Sequence, residues 1–134
     1  GAVAVIGSSE GSLRVLQADA RGLPFARASF DAATLHLALH HFPPDDAVEV
    51  LAELGRVARH VVVTDLERTW LAYGVARALP LVTRNPLTRH DGPVSVLRAY
   101  TRDELRNLGS RAGLKAIRVR RQFPARLVLT ALGR

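Results

Sequence analysis

The feature that most constrains the fold is an amphipathic helix that lies between two apolar segments. Apolar residues recur at helical spacing after Pro44, and they are Ala47, Val48, Val50, Leu51, Leu54, Val57 and Ala58. Apolar runs at residues 30–37 and 61–64 flank this helix and are typical of buried strands. A strand, a helix of about four turns and a second strand form a right-handed crossover, which predicts an α/β fold with a parallel sheet.

Turn signals and shorter patterns predict the other elements. Strands are expected at 2–6 and 13–17, and a final pair at 115–121 and 126–132 flanks a turn at Phe123-Pro124. Thr101 and Glu104 have the spacing of a capping box that begins a helix, and Gly113 ends it. Residues 69–79 predict a further helix, whereas 81–100 lack periodicity. We therefore expect one domain over 1–134, with 66–100 as a helix and lid insertion over the site.

Composition limits the classes of partner. The chain has 134 residues and a formal net charge of +7, but most of its arginines are scattered and aromatic residues make up only 5%. A base-stacking surface needs more aromatic residues, so we expect no nucleic-acid partner, and an Arg-rich nucleic-acid binder stays an alternative. No apolar run approaches the roughly 20 residues of a membrane span. The sequence has no cysteine, which does not fix the compartment, and no secretory signal. We expect no membrane partner, a cytoplasmic location, and a monomer or homodimer.

Polar side chains follow the ends of the predicted strands. Asp19 comes after the strand at 13–17, His40 and His41 come after the strand at 30–37, and Asp65 comes after the strand at 61–64. In an open α/β sheet, ligands bind beyond the carboxyl ends of the strands. An imidazole at such a place can orient or deprotonate a hydroxyl group. The sequence therefore predicts a site at this edge, with His40 and His41 as candidate catalytic residues.

A longer run within this region carries a family resemblance. It reads VLQADARGLPFARASFDAATLHLALHHF, and it resembles the class I S-adenosylmethionine-dependent methyltransferases, most closely the type 11, ubiquinone/menaquinone-biosynthesis-like group. The resemblance covers residues 13–114 and implies a Rossmann-like sheet of order 3-2-1-4-5-7-6 with a C-terminal antiparallel hairpin. It also implies methyl transfer from S-adenosyl-L-methionine to a small-molecule acceptor, which we expect to be phenolic, quinone-like or a polyketide.

The resemblance implies roles for individual residues. Asp19 would accept a hydrogen bond from the adenine amino group, the amide of Ala20 would meet a ring nitrogen, and Leu37 would contact the cofactor. The histidines His40 and His41 would line the methyl-transfer site. The acceptor-side residues are predicted to be Asp65, Tyr73, Asn85, His90 and Tyr100. The alternative for the two aspartates is a structural one, in which each caps a loop.

The amino-terminal part departs from the family pattern. The family has a loop of the form acidic-x-Gly-x-Gly-x-Gly, but Val5 occupies the acidic position here, Ser9 replaces a glycine, and only Gly7 and Gly11 match. The chain therefore resembles the carboxyl-terminal half to two thirds of such an enzyme, an N-terminally truncated form. We expect the strand at 2–6 to fill the resulting gap beside 30–37. The alternative function is that of a non-catalytic fragment or pseudoenzyme that cannot hold the cofactor.

Two other kinds of site are considered and disfavoured. His36 and His40 have the i, i+4 spacing of a zinc pair on a helix, but their segment is predicted to be a strand end without an acidic partner, so no metal is expected. Residues 7–11 match the G-x-S-x-G pattern of a hydrolase, with Ser9, Asp65 and His90 in the matching triad order. That pattern consists of common small residues, and the chain is short for a hydrolase fold.

Overall fold

The protein folds around a four-stranded mixed sheet that carries two helices on one face. The computed structural model describes residues 3–7, 13–69, 73–75, 77–78 and 97–134. Its elements are β1 Val3–Gly7, β2 Leu13–Gln17, β3 Phe30–His36, α1 Pro44–Val57, β4 Ala58–Leu66, α2 Arg102–Arg111, β5 Lys115–Gln122 and β6 Arg126–Leu132. The predicted insertion at 66–100 lies largely outside the described residues and stays a prediction.

The order of strands in the main sheet is β3-β4-β6-β5. Strands β3 and β4 are parallel, and α1 connects them. Strand β6 lies between β4 and β5 and runs antiparallel to both. This arrangement confirms the predicted α/β class with a parallel pair and a C-terminal antiparallel hairpin. It is the 4-5-7-6 part of the strand order that the resemblance implied.

Strand β1 pairs with β2 rather than with β3. The two form a separate antiparallel sheet, in which Val3 is opposite Gln17 and Gly7 is opposite Leu13. The prediction that the first strand fills the gap beside residues 30–37 is therefore wrong. The physical reason is the short separation of β1 from β2 in sequence, since a short connection permits antiparallel pairing and parallel pairing needs a long crossover. Among the described residues, β3 pairs with β4 alone.

Helix α1 begins and packs as its sequence pattern indicates. Pro44 is the first helical residue, a position that needs no N–H donor, and Asp45 and Asp46 follow in the first turn. The helix buries one stripe, which comprises Ala47, Val50, Leu51, Leu54, Gly55 and Val57. Strand β4 begins immediately after Val57, so the helix end directly sets where the next strand enters the sheet.

Helix α2 lies beside α1 and covers the β5–β6 hairpin. The predicted capping box is present, because Glu104 N donates to Thr101 Oγ1 at 3.3 Å and Thr101 N donates to Glu104 Oε2 at 2.9 Å. After the helix, Gly113 takes a positive φ of 77°, which glycine adopts without a steric penalty. Leu105 and Leu108 are buried in the same core as Leu51 of α1.

The core fills the space between the two helices and the sheet. Its fully buried leucines come from all layers, and they are Leu39, Leu51, Leu105, Leu127 and Leu129. Inward-facing residues alternate with outward-facing ones along β4 and β6, so each strand contributes one face to this core. Among the described residues, no helix is long and apolar enough to cross a membrane.

Candidate functional site

A buried histidine–aspartate pair lies at the carboxyl ends of the two parallel strands. The Nδ1 atom of His40 is 2.6 Å from Oδ1 of Asp65, and the backbone N–H of His40 donates to Oδ2 at 2.8 Å. The two side chains are only 5% and 3% exposed. Burial of two ionisable groups is costly unless they satisfy each other, so a pair held this closely at the ligand-binding edge is a candidate for catalysis.

The chain reaches this geometry through a sharp turn after β3. Leu37 takes a positive φ of 49°, which is uncommon for a non-glycine residue. Its N–H still donates to Thr64 O at 2.8 Å, so it remains attached to β4 while the chain turns. The next residues form a 3-10 turn, Leu39–His41, in which Leu39 and His40 are buried. The apolar side chain of Leu39 thus anchors the turn that places His40 beside Asp65.

The hydrogen bonds of Asp65 determine which nitrogen of His40 carries a proton. The carboxylate accepts N–H bonds from His40 at 2.8 Å and from Leu66 at 2.7 Å, and it faces Nδ1 of the ring. An acceptor-only carboxylate assigns the proton to Nδ1, and the neutral ring then has a free lone pair on Nε2. Among the described residues, no buried side-chain nitrogen or oxygen lacks a partner.

Two further aromatic side chains border this pair. The exposed ring of His41 lies against the ring of His40, with centroids 4.1 Å apart and a tilt of 43°. The hydroxyl of Tyr100 donates to Phe42 O at 2.7 Å, so it holds the end of the histidine turn. Burial raises the pKa of Tyr100, and the charges of Asp65 and Glu104 raise it further. The phenol therefore stays protonated and remains a donor.

Asp19 lies on the surface and is bound by Arg21. Oδ1 accepts from the backbone N–H of Arg21 at 2.9 Å and from Nε at 3.1 Å, and Oδ2 accepts from Nη2 at 2.9 Å. The side-chain hydrogen bond from Arg21 is the main cause that lowers the pKa of Asp19 to about 2. Nη1 of Arg21 also lies 3.4 Å from Asp46 Oδ2, which links this turn to the start of α1.

Sequence reasoning missed a second link between α1 and the loop at 21–29. Glu53 and Arg56 are paired at 2.6 Å on the inner side of the helix. Glu53 Oε1 accepts from Leu23 N at 2.7 Å, and Arg56 donates to Phe25 O at 2.8 Å and to Leu23 O at 3.0 Å. The i, i+3 spacing of the two side chains was the available signal. They fasten the loop that joins the Asp19 turn to β3.

Comparisons with known proteins agree with this geometry. A family model described as a methyltransferase domain matches residues 3–63. This match covers less than half of the chain, and it supports the resemblance to the class I S-adenosylmethionine-dependent methyltransferases. A sequence comparison with curated proteins found no match.

Solved methyltransferase structures share the fold of this chain. A structure from Thermotoga maritima, named as an S-adenosylmethionine-dependent methyltransferase and possible histamine N-methyltransferase, aligns with a TM-score of 0.63 and 18% identity over 89% of this chain and 63% of its own. Human N-acetylserotonin methyltransferase, in complex with S-adenosylmethionine, aligns with a TM-score of 0.60 and 15% identity over 88% of this chain and 33% of its own. An O-methyltransferase family 2 protein from Planctomyces limnophilus, in complex with apigenin, aligns with a TM-score of 0.57 and 16% identity over 87% of this chain and 33% of its own. The chain thus spans less than two thirds of these neighbours.

The turn at Asp19 has the acceptor capacity that an adenine amino group needs. Oδ2 of Asp19 accepts one hydrogen bond, so it retains a lone pair, and the side chain is 54% exposed. The neighbouring Ala20 is half-buried and packs against the core, which fixes the backbone beside it. The free acceptor capacity of Asp19 is compatible with the amino group of an adenine.

The other predicted site residues are spread over the chain. The described structure brings together His40, His41, Asp65 and Tyr100. Leu37 lies at the turn just before them, and Tyr73 lies in a short helical stretch at 73–75 and is half-buried. Gly7 lies in β1 opposite Leu13. Gly11, Asn85 and His90, together with Ser9 of the hydrolase alternative, are outside the described residues, so their roles stay predictions.

The outcome for Asp65 is more specific than the sequence prediction. It was predicted to face the acceptor, whereas the structure shows its carboxylate directed at His40 and two backbone N–H groups. A contact between Asp65 and a substrate stays a prediction, and the geometry supplies a positioning role for it. Among the described residues, no group of three or more histidine, cysteine or acidic side chains could hold a metal ion.

Proposed function

We propose that this chain transfers a methyl group from S-adenosyl-L-methionine to a hydroxyl group of a small molecule, with His40 as the general base. The observation that carries the proposal is the buried His40–Asp65 pair, joined at 2.6 Å at the carboxyl edge of the sheet. A class I methyltransferase without such a base can methylate an atom that is already nucleophilic. A buried, oriented imidazole is what a hydroxyl acceptor requires, because the oxygen must lose a proton as it attacks.

Each of the two side chains has a defined task in this proposal. Asp65 holds the proton on Nδ1 and thereby leaves the lone pair on Nε2 as the one that can accept a proton. His40 then accepts the proton of the acceptor hydroxyl, and the Asp65 carboxylate stabilises the imidazolium that forms. When bound, S-adenosyl-L-methionine would supply an electrophilic methyl group on its sulfonium sulfur: the bond from the acceptor oxygen to this methyl would form as the S–CH₃ bond breaks, and S-adenosylhomocysteine would be the leaving group. Asp65 does not need to gain a proton at any stage.

The cofactor-binding residues in the proposal are those at the ends of β1, β2 and β3. Asp19 and Ala20 would hold the adenine, Leu37 would contact the cofactor beside the histidine turn, and Gly7 and Gly11 would approach its methionine part. The depressed pKa of Asp19 supports this assignment, since the carboxylate stays ionised and ready to accept an amino N–H. The human neighbour that was solved with S-adenosylmethionine supports the same choice of cofactor.

The acceptor in the proposal is a phenolic, quinone-like or polyketide compound. The neighbour in complex with apigenin supports this class of acceptor. His41 and Tyr100 would border the acceptor together with Tyr73, Asn85 and His90 of the predicted insertion at 66–100. The exposed ring of His41 offers a flat surface against which an aromatic acceptor can stack.

The first test is calorimetry of this chain with S-adenosylhomocysteine. We expect binding with a dissociation constant in the range of about 1–100 µM. An absence of heat at about millimolar ligand would show that the chain cannot hold the cofactor, and it would favour the non-catalytic alternative.

The second test separates the base from its neighbour. We expect His40→Gln to lower kcat by about 10²–10⁴-fold with a phenolic acceptor panel, because general-base catalysis contributes about that much. The matched variant His41→Gln should lower kcat by less than about tenfold, since His41 is exposed and does not contact Asp65. Both variants should retain the affinity for S-adenosylhomocysteine. Equal losses in the two variants would contradict the assignment of His40 as the base.

A further inference from the structure

The carboxylate of Asp19 is held in place by Arg21 through three hydrogen bonds. Oδ1 accepts from the backbone N–H of Arg21 at 2.9 Å and from its Nε at 3.1 Å, and Oδ2 accepts from Nη2 at 2.9 Å. The backbone N–H of Gly22 also donates to Asp19 O at 3.0 Å, which closes the turn around the pair. The carboxylate therefore has a fixed orientation, although the Asp19 side chain is 54% exposed.

The contact between Arg21 and Asp19 is of the kind that fixes geometry. Nε and Nη2 of a guanidinium form a planar fork that matches the two oxygens of a carboxylate. Most exposed ion pairs contribute little, but a bidentate arginine–carboxylate pair is the exception. Nη1 of Arg21 also lies 3.4 Å from Oδ2 of Asp46 in the first turn of α1. The guanidinium thus has a carboxylate on each of two sides, and both restrict its position.

The number of acceptor positions on Asp19 shows what its carboxylate can still bind. An ionised carboxylate has about four lone-pair positions on its two oxygens. In the part of the chain that the structure describes, Arg21 occupies two of them on Oδ1 and one on Oδ2. One position therefore remains, and it is on Oδ2. The carboxylate can accept one further N–H group there without losing any of its contacts to Arg21.

We propose that Arg21 determines which base the turn at Asp19 accepts, because it fixes the carboxylate with one acceptor position left for an exocyclic N–H group. This proposal rests on the proposed function, in which Asp19 binds the adenine of S-adenosyl-L-methionine, and it adds a positioning residue that selects a base with an amino group. The amino group of adenine supplies the N–H that fills the remaining position. A purine with hydrogen in place of that amino group leaves Oδ2 without a donor from the ligand.

The ionisation of Asp19 supports this selection. An ionised carboxylate only accepts hydrogen bonds, whereas a protonated one can also donate to a ring nitrogen and would not require an amino group. The side-chain hydrogen bond from Arg21 is the main cause that lowers the pKa of Asp19 to about 2. Arg21 therefore sets both the direction and the charge of the acceptor.

The alternative is that Arg21 leaves Asp19 when a ligand binds and pairs with Asp46 instead. The distances disfavour this exchange, because the contact to Asp46 is 3.4 Å long and the two side-chain contacts to Asp19 are 3.1 and 2.9 Å. The backbone N–H of Arg21 also binds Asp19 and does not move with the guanidinium. We therefore expect Arg21 to stay on the carboxylate while the base binds.

The test is calorimetry with S-adenosylhomocysteine and with its analogue whose purine carries hydrogen in place of the amino group. The wild-type chain should bind S-adenosylhomocysteine at least about tenfold more tightly, as expected for one hydrogen bond to a charged acceptor. In Arg21→Ala this preference should fall below about threefold, because S-adenosylhomocysteine loses affinity while the analogue changes little. A purely structural role of Arg21 would instead weaken both ligands equally.

Two further variants separate the fork from the charge and from ion pairs in general. Arg21→Lys keeps the positive charge but has no planar fork, so it should lose the preference as Arg21→Ala does. Arg111→Ala is the matched control, since it removes the 2.7 Å ion pair with Asp45, the neighbour of Asp46, and leaves the turn at Asp19 intact. It should keep the wild-type preference. Circular dichroism checks that all three variants fold.

Three results would overturn this proposal while the proposed function stands. They are binding of both ligands to the wild-type chain with similar affinity, a wild-type preference that is retained in Arg21→Ala or Arg21→Lys, and an equal loss of preference in Arg111→Ala. Binding of neither ligand to the wild-type chain would contradict the proposed function and this proposal with it, so the two failures are distinguishable.

Discussion

Replacing Asp65 with asparagine tests whether the buried pair has the hydrogen bonds described here. The carboxylate accepts from three N–H groups with two oxygens: Oδ1 faces Nδ1 of His40 and Leu66 N, and Oδ2 faces His40 N. An asparagine side chain offers one oxygen and one NH₂ group. In either orientation of the amide, the NH₂ group must therefore point at one of these donors.

The expected loss of stability follows from those contacts. Losing one hydrogen bond to a charged group costs about 1.5–3 kcal/mol, and leaving a buried donor without an acceptor costs about 1–3 kcal/mol. We expect Asp65→Asn to lower the free energy of unfolding by about 2.5–6 kcal/mol, a large part of the about 5–15 kcal/mol of a typical domain. No reduction for solvent screening applies, because the aspartate side chain is only 3% exposed.

Urea denaturation and nitrogen NMR of the histidine ring measure the two consequences. The wild-type ring should carry its proton on Nδ1, and Asp65→Asn should raise the fraction of the Nε2–H tautomer. Asp45→Asn is the matched control, since Asp45 is 88% exposed and pairs with Arg111 on the surface. It should change stability by less than about 0.5 kcal/mol. A loss below about 1 kcal/mol in Asp65→Asn, with the wild-type tautomer retained, would refute the reasoning.

Two further predictions concern the tight backbone contact at Gly133 and the ion pair between Arg21 and Asp19. An added Cβ at Gly133 would lie 2.2 Å from Ala58 O and 2.6 Å from Gly55 O, so Gly133→Ala should lower the free energy of unfolding by about 2 kcal/mol in urea denaturation. The control is Gly22→Ala, where an added Cβ would meet nothing within 4 Å, and it should lower the free energy of unfolding by less than about 1 kcal/mol. Equal losses of stability in the two variants would contradict the close contact at Gly133. Arg21 lowers the pKa of Asp19 from 3.8 to about 2, so in Arg21→Ala the carboxyl of Asp19 should protonate at a higher pH, near its ordinary pKa. A pH titration followed by carbon NMR of the Asp19 carboxyl measures this. An unchanged titration midpoint would assign the lowered pKa to another cause.

Local sequence patterns were sufficient to predict most elements near the site. The apolar stripe of α1 and the capping box at Thr101 each depend on residues within a few positions of one another, and both are present. The bounds of the strands were predicted less accurately than the helices. Strand β4 extends over Ala58–Leu66, whereas its apolar pattern predicted a strand only at 61–64. Pairing with two neighbours stabilises strand residues whose own side chains give no signal.

The long-range contacts could not be predicted from local patterns. Sequence analysis placed His40 and Asp65 at strand ends, but their bond joins residues 25 positions apart and exists because β3 and β4 are adjacent and parallel. The pairing of β1 with β2 likewise depends on which strands meet.

The sequence by itself determined the α/β class, the resemblance to class I methyltransferases and the histidines at the edge of the sheet, because these follow from periodicity and a contiguous motif. Only the tertiary structure decided that Asp65 orients His40 and that Arg21 binds Asp19. These features are relations between segments, and they arise when burial of the apolar core selects one arrangement of the strands.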